Sequence, residues 1–152
     1  YEGSTAGTAS VNNGWANTQA MATAGIAEHP AANFCRNLNI GGYTDWYLPS
    51  KDELEILYRS FKPTTNANNT SYGANSRSVP PTSNYTSGNP AQTSIALFKS
   101  GGAEAMTASY YYLSSTEYLT QGAWAQDFDI GNPGSGSKML AYDVRAVRRV
   151  PV

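Results

Sequence analysis

Cysteine and histidine are nearly missing from this sequence, with one of each in 152 residues. A single cysteine excludes a disulfide within the chain, and the pair is too few for a Cys/His zinc cage. Charge is sparse and balanced, ten Lys and Arg against eleven Asp and Glu. A net charge of −1 provides no basic surface to neutralise phosphates. It therefore argues against a nucleic-acid binder held by backbone contacts and a polybasic module for anionic membranes. No apolar run approaches the ~18 residues of a spanning helix. No basic, apolar, small-residue pattern of a signal peptide is present.

In place of charge there are 14 Gly, 8 Pro and 11 Tyr against 4 Phe, with abundant Asn, Ser, Thr and Ala. The length fits one domain, 1–152, and 40% hydrophobic residues suffice for a core. Tyr, Ser, Gly and Asn are also the residues that paratope loops favour. With Tyr1 first, the chain reads as a fragment or processed form, the distal part of a longer chain.

Residues 1–14 are small and polar and read as loop or edge strand. A helix is expected from Trp15, with Trp15 and Met21 as its larger apolar groups, weakened at Gly25 and restarted at Pro30. Ala31 with Cys35 and Phe34 with Leu38 have helical spacing, and Gly41-Gly42 is expected to end that helix. Ser50 and Glu53 form a capping-box pattern before Leu54, Leu57, Tyr58 and Phe61, one apolar stripe. Residues 62–93 hold almost no large aliphatics and read as a long surface excursion, functional or mobile. Asn68, Asn69 and Asn84 begin Asn-x-Ser/Thr triplets of the kind such composition produces by chance. Residues 94–99 suggest a short helix or strand.

The last third reads as β: 110–115, then alternation of Trp124, Gln126, Phe128 and Ile130 with Ala125, Asp127 and Asp129. A turn is expected at 131–136, a return strand at 138–142 and a final strand at 144–150. Trp46, Leu48, Trp124 and Phe128 are assigned to the core. Arg145 and Arg148 are placed on opposite faces of the final strand, one paired with a carboxylate such as Glu117 or Glu53.

Five blocks stand in order. They are Gly41-Gly42-Tyr43-Thr44-Asp45-Trp46-Tyr47-Leu48-Pro49-Ser50, Glu53-Leu54 with Leu57, Leu113-Ser114-Ser115-Thr116-Glu117, Ala123-Trp124 with Phe128 and Gly131, and Val144-Arg145-Ala146-Val147-Arg148. Over about residues 15–150 they resemble the C-terminal domain of Legionella collagen-like protein and its relatives. Tyr47 stands where that family usually has Arg, so the ion pair of that Arg is not carried over. Leu113 stands where it usually has Trp. The resemblance implies an α+β domain of C-type-lectin-like fold, related to the formylglycine-generating enzyme. Two helices would pack on a twisted antiparallel sheet with long loops. It further implies a place at the end of bacterial adhesins or phage tail fibres, outside the cell or on the virion. Fibres of that kind are usually trimeric. Sulfated glycans are not carried over, because this chain lacks a basic surface.

Catalysis finds little support. The related enzyme works through two cysteines, whereas Cys35 is alone and expected to be buried and inert. His29, before Pro30, suits local hydrogen bonding, and no Gly-x-Ser-x-Gly elbow exists. Asp127 and Asp129 share a side of a strand and could pair for acid/base work or a hard cation, although a solvated face is the commoner outcome. The reading is a non-enzymatic domain without cofactor or metal that binds a host-surface receptor or glycan. Nucleic acid and membrane insertion are not expected. In retroelement-diversified relatives the contacting side chains occupy the intervals between fixed blocks. That correspondence nominates Tyr118, Thr120, Gln121, Asp127, Asp129, Asn132, Ser135, Ser137, Met139 and Tyr142 here. Tyr rings stack on sugars or protein at low entropic cost. The alternative reading is a capping or trimerisation module without an external ligand.

Overall fold

The computed structural model describes residues 3–109 and 111–150. Tyr110, which opens the expected strand 110–115, and the two residues at each end of the 1–152 span lie outside that description. Among the described residues the architecture is α+β, with three α-helices rather than two: α1 (Gly14–Gly25), α2 (Pro30–Arg36) and α3 (Lys51–Phe61). They precede one antiparallel sheet of β1 (Tyr111–Leu119), β2 (Gly122–Asp127) and β3 (Pro133–Ser137), in that order.

The side chain of Asn13 accepts from the Ala16 N–H at 3.0 Å and starts α1. This helix docks through polar groups, not through an apolar stripe. Its buried residues are Gly14, Asn17 and Thr18, and Trp15 is 40% exposed. Asn17 Nδ2 donates to Ser10 O at 2.7 Å and to Ser115 Oγ at 3.2 Å, while Leu48 N–H donates to Thr18 Oγ1 at 3.1 Å. In α2, Pro30 occupies the first turn, and Ala32 and Cys35 are buried while Phe34 faces outward. The helix stops at Arg36, earlier than the glycine pair suggests. Gly41 and Gly42, with φ of 62° and 81°, instead make the two-residue turn that pairs Ile40 with Tyr43.

One half of the α3 capping box is formed, the Ser50 N–H donating to Glu53 Oε2 at 2.8 Å. Its stripe enters the main core of Leu54, Tyr58, Tyr85, Met106, Tyr112 and Phe128. The rings meet edge-on, Tyr58 to Phe128 at 5.7 Å and Tyr112 to Phe128 at 4.9 Å. That geometry adds about 0.5–1.5 kcal/mol per pair beyond burial. Phe128 and Leu48 are interior as expected. Trp46 and Trp124 are not: both are half-buried at the margin. Trp46 Nε1–H donates to Tyr43 O at 2.9 Å.

Residues 62–93 run over the surface as expected, most of them exposed, and are pinned to the core at a few buried side chains. Asn68 accepts from Tyr58 Oη at 2.6 Å and Lys62 Nζ at 2.7 Å, and donates to Thr86 O and Pro90 O at 2.9 Å each. Tyr85 is buried and donates to Glu55. Arg59 reaches Gly73 O and Ser83 O. Within 94–99 a single 3₁₀ turn forms at Ala96–Phe98.

The expected turn at 131–136 is mostly strand β3, and 138–142 forms no strand. The glycines there serve close approach. A Cβ at Gly136 would lie 1.7 Å from Tyr142 Oη, and one at Gly134 would lie 3.1 Å from Tyr111 Cε1. The final segment is extended but joins no strand ladder. Val147 exchanges both backbone hydrogen bonds with Tyr47, at 2.8 and 3.0 Å.

Candidate functional site

The β1–β2 hairpin projects at one end of the sheet, and Glu117 secures it. Its carboxylate accepts from Ser4 Oγ, from Thr5 N–H at 2.9 Å and from Lys138 Nζ at 2.7 Å. Burial pushes this carboxyl upward, but the hydrogen bonds from Lys138, Ser4 and Thr5 prevail and hold it below the ordinary carboxylate range. Lys138 also donates from Nζ to Gly3 O and Thr120 O, both at 3.0 Å, and from its backbone to Gln121 O at 2.9 Å. The hairpin turn and the turn after β3 are thereby tied to one another and to the N-terminal segment.

This frame presents an open groove lined by Tyr118, Leu119, Thr120, Gln121, Gly122, Ser135, Gly136 and Ser137. Five nominated residues therefore come together: Tyr118, Thr120, Gln121, Ser135 and Ser137. Tyr118, 45% exposed, stands edge-on to Trp124 at 4.8 Å, and Lys51 Nζ lies 3.9 Å from the centre of the Trp124 ring. The Tyr118 ring is thus held in place before any partner arrives. On the two tied turns Leu119 (65% exposed), Met139 (61%) and Leu140 (65%) face solvent.

The other nominees do not join them. Asp127, Asp129 and Asn132 build the β2–β3 turn at the far end of β2, six residues or about 20 Å along the strand. Asp127 does not share a solvated face with Asp129. Its carboxylate accepts the Asp129 N–H at 2.6 Å, and burial raises its pKa. Asp129 Oδ1 accepts from Asn66 Nδ2 at 2.7 Å, and Asn132 O accepts from Asp127 N–H at 3.0 Å. Tyr142 packs on Gly136 and walls an apolar cavity.

Among the described residues, no cluster of three or more His, Cys, Asp or Glu is arranged to hold a metal ion. Cys35 is fully buried and burial pushes its thiol up to about 12. His29 Nε2 lies 3.4 Å from Thr5 Oγ1, and burial lowers its pKa.

Sequence reasoning missed Leu119, Leu140 and the Lys51–Trp124–Tyr118 stack. An apolar Leu119 beside a Thr-Gln-Gly turn was the available signal. The arginine pairing also differs from expectation. Arg145 reaches Glu104 at 2.9 Å, and Arg148 grips Asp45 with two bonds at 2.8 and 3.1 Å while its guanidinium lies 3.7 Å from the Tyr43 ring centre. Glu53 pairs with Arg149 at 3.2 Å and accepts from Tyr47 Oη at 3.0 Å.

Neither the curated proteins nor the solved structures yield a match to the chain. The family model of the Lcl C-terminal domain matches residues 8–148. That span holds all five sequence blocks, the three helices and the whole sheet, and the chain belongs to the Lcl C-terminal domain family.

Proposed function

We propose that this domain is a non-enzymatic receptor- or glycan-binding module at the exposed end of a surface fibre or adhesin, bacterial or on a phage tail. The observation that carries this reading is the hairpin end of the sheet. There, exposed Tyr118 and Leu119 stand beside Thr120, Gln121, Ser135 and Ser137 on a frame fixed by the Glu117–Lys138 pair. A rigid scaffold with side chains free to make outward contacts is what such adhesion requires. Among the described residues no helix is long and apolar enough to cross a membrane, which accords with an extracellular placement. The arrangement of three helices before an antiparallel sheet with long pinned loops accords with a C-type-lectin-like fold.

Attachment of the purified domain to host cells tests the reading. The triple variant Tyr118→Ala, Gln121→Ala, Ser135→Ala is expected to fold and to lose attachment at least tenfold. Unchanged attachment by that variant sinks the proposed face. The apolar side chains Leu119, Met139 and Leu140 favour a second reading, in which this end packs against copies of the same chain in a trimeric fibre. Sedimentation separates the two. A trimer disrupted by Leu119→Ser and Leu140→Ser, with no attachment lost, supports assembly.

A further inference from the structure

A cavity of about 330 Å³ lies on the sheet face covered by α1 and α2, bordered by the Glu117–Lys138 pair that also frames the hairpin groove. Segments from across the chain wall it. Met21 comes from α1, Ala32 from α2, Leu113 and Ala123 from the sheet, and Val144 from the final segment. Small residues create the space, because Ala31, Ala32, Ala123 and Ala141 stand where larger aliphatic groups would close it. An engineered apolar cavity of ~150 Å³ stays dry and takes up benzene; this one has more than twice that room.

Most of the polar groups on its wall are engaged within the chain. Thr8 Oγ1 donates to Thr5 O at 2.7 Å, Ser115 Oγ accepts from Asn17 Nδ2, and Ser114 Oγ accepts from Thr116 N–H. Glu117 and Lys138 neutralise each other at 2.7 Å. Water needs two to four polar partners to be held, and such a lining provides few. A carboxylate would lie beside Glu28, with the Lys138 charge already taken up by Glu117. The opening is itself apolar, with Phe34 at 53% and Leu140 at 65% exposure. At the ~30 Å³ that a water-sized group occupies in a liquid, the volume holds about ten such groups.

We infer that this cavity is a binding site for an uncharged aliphatic molecule of about ten carbons, its chain among the alanines and its neutral polar end at the opening. Its main driving force is removal of the chain from water.

Calorimetric titration of the domain with 1-decanol tests this. One saturable site per chain is expected, with a negative heat-capacity change and a melting temperature that rises with decanol concentration. Decanoate is expected to bind at least tenfold more weakly. Ala123→Leu, which fills the cavity, and Ala141→Leu, which narrows its opening, are each expected to weaken decanol binding at least tenfold. Circular dichroism confirms their fold, and Ala141, exposed in the native chain, keeps the test alive if Ala123→Leu does not fold. Absence of saturable binding overturns the inference, as does equal binding by folded leucine variants. Equal affinity for decanoate overturns the assignment of an uncharged ligand. A cavity closed by self-association of the chain would appear as loss of decanol binding with rising protein concentration, and would equally overturn it.

Discussion

At the scale of single residues, Glu117 shows how a carboxylate can organise a surface without belonging to it. Three groups from two separate segments donate to it: Ser4 and Thr5 from the N-terminal stretch and Lys138 from beyond β3. Replacing Glu117 by Gln leaves Lys138, 15% exposed, beside a neutral amide. Loss of the charged partner from this part-buried pair costs about 1–3 kcal/mol, so Glu117→Gln should lower the melting temperature at neutral pH by several degrees. The pH dependence has a definite sign. The folded carboxyl lies below its ordinary value, so its contribution is present above about pH 4.3 and is lost as pH falls through the folded pKa. Melting curves of the wild type and Glu117→Gln should therefore converge on acidification to about pH 2, and a constant gap would contradict the assigned role.

Asn68 does comparable work inside the long loop. Its amide joins Tyr58 and Lys62 to the carbonyls of Thr86 and Pro90. Lys62, 1% exposed, depends on it, and burial lowers the Lys62 pKa. Asn68→Ala should cost about 2–3 kcal/mol, since buried donors lose their acceptor. Faster amide exchange confined to 62–93 should accompany that loss. Uniform exchange across the sheet would argue against a local role.

At the scale of elements, α3 was readable because its signals are local: a capping box, then apolar side chains spaced to one face. The β3 strand was not readable, since Gly and Pro ordinarily announce turns. Here Gly134 and Gly136 are strand residues made necessary by rings from elsewhere, Tyr111 and Tyr142. No local pattern carries that information. Gly136→Ala should destabilise by about 1–3 kcal/mol through overpacking, and less in a Tyr142→Ala background. A double-mutant cycle over urea melts measures the difference, and strict additivity would show that the Tyr142 ring is not the obstacle. For α1 the same lesson holds with polarity reversed. Its buried face is Asn17 and Thr18, which no apolar periodicity reports.

At the scale of the whole molecule, the core is a set of aromatic rings drawn from distant segments: Tyr58 from α3, Tyr85 from the loop, Tyr112 from β1 and Phe128 after β2. Removing Tyr58 should cost about 3–5 kcal/mol. Its hydroxyl also holds Asn68, so Tyr58→Phe should cost about 1 kcal/mol and loosen the loop without unfolding the sheet. Near-native amide protection of 62–93 in Tyr58→Phe would contradict that coupling.

What the sequence determined by itself was the family, the α+β class and the helix α3, because ordered motifs and local caps survive in any reading of the chain. Five of the ten nominated contact residues also fall in one groove, since short intervals between fixed blocks become turns at the same end of a hairpin. Tertiary structure alone decided the rest. It showed that Asp127 spends its carboxylate on a turn and Asp129 on Asn66 of the long loop, that Asn132 enters the turn through its backbone carbonyl, and that Trp124 is a marginal ring braced by Lys51. Whether a polar side chain faces a partner or its own backbone depends on which distant segment arrives beside it, and spacing along the chain carries no record of that.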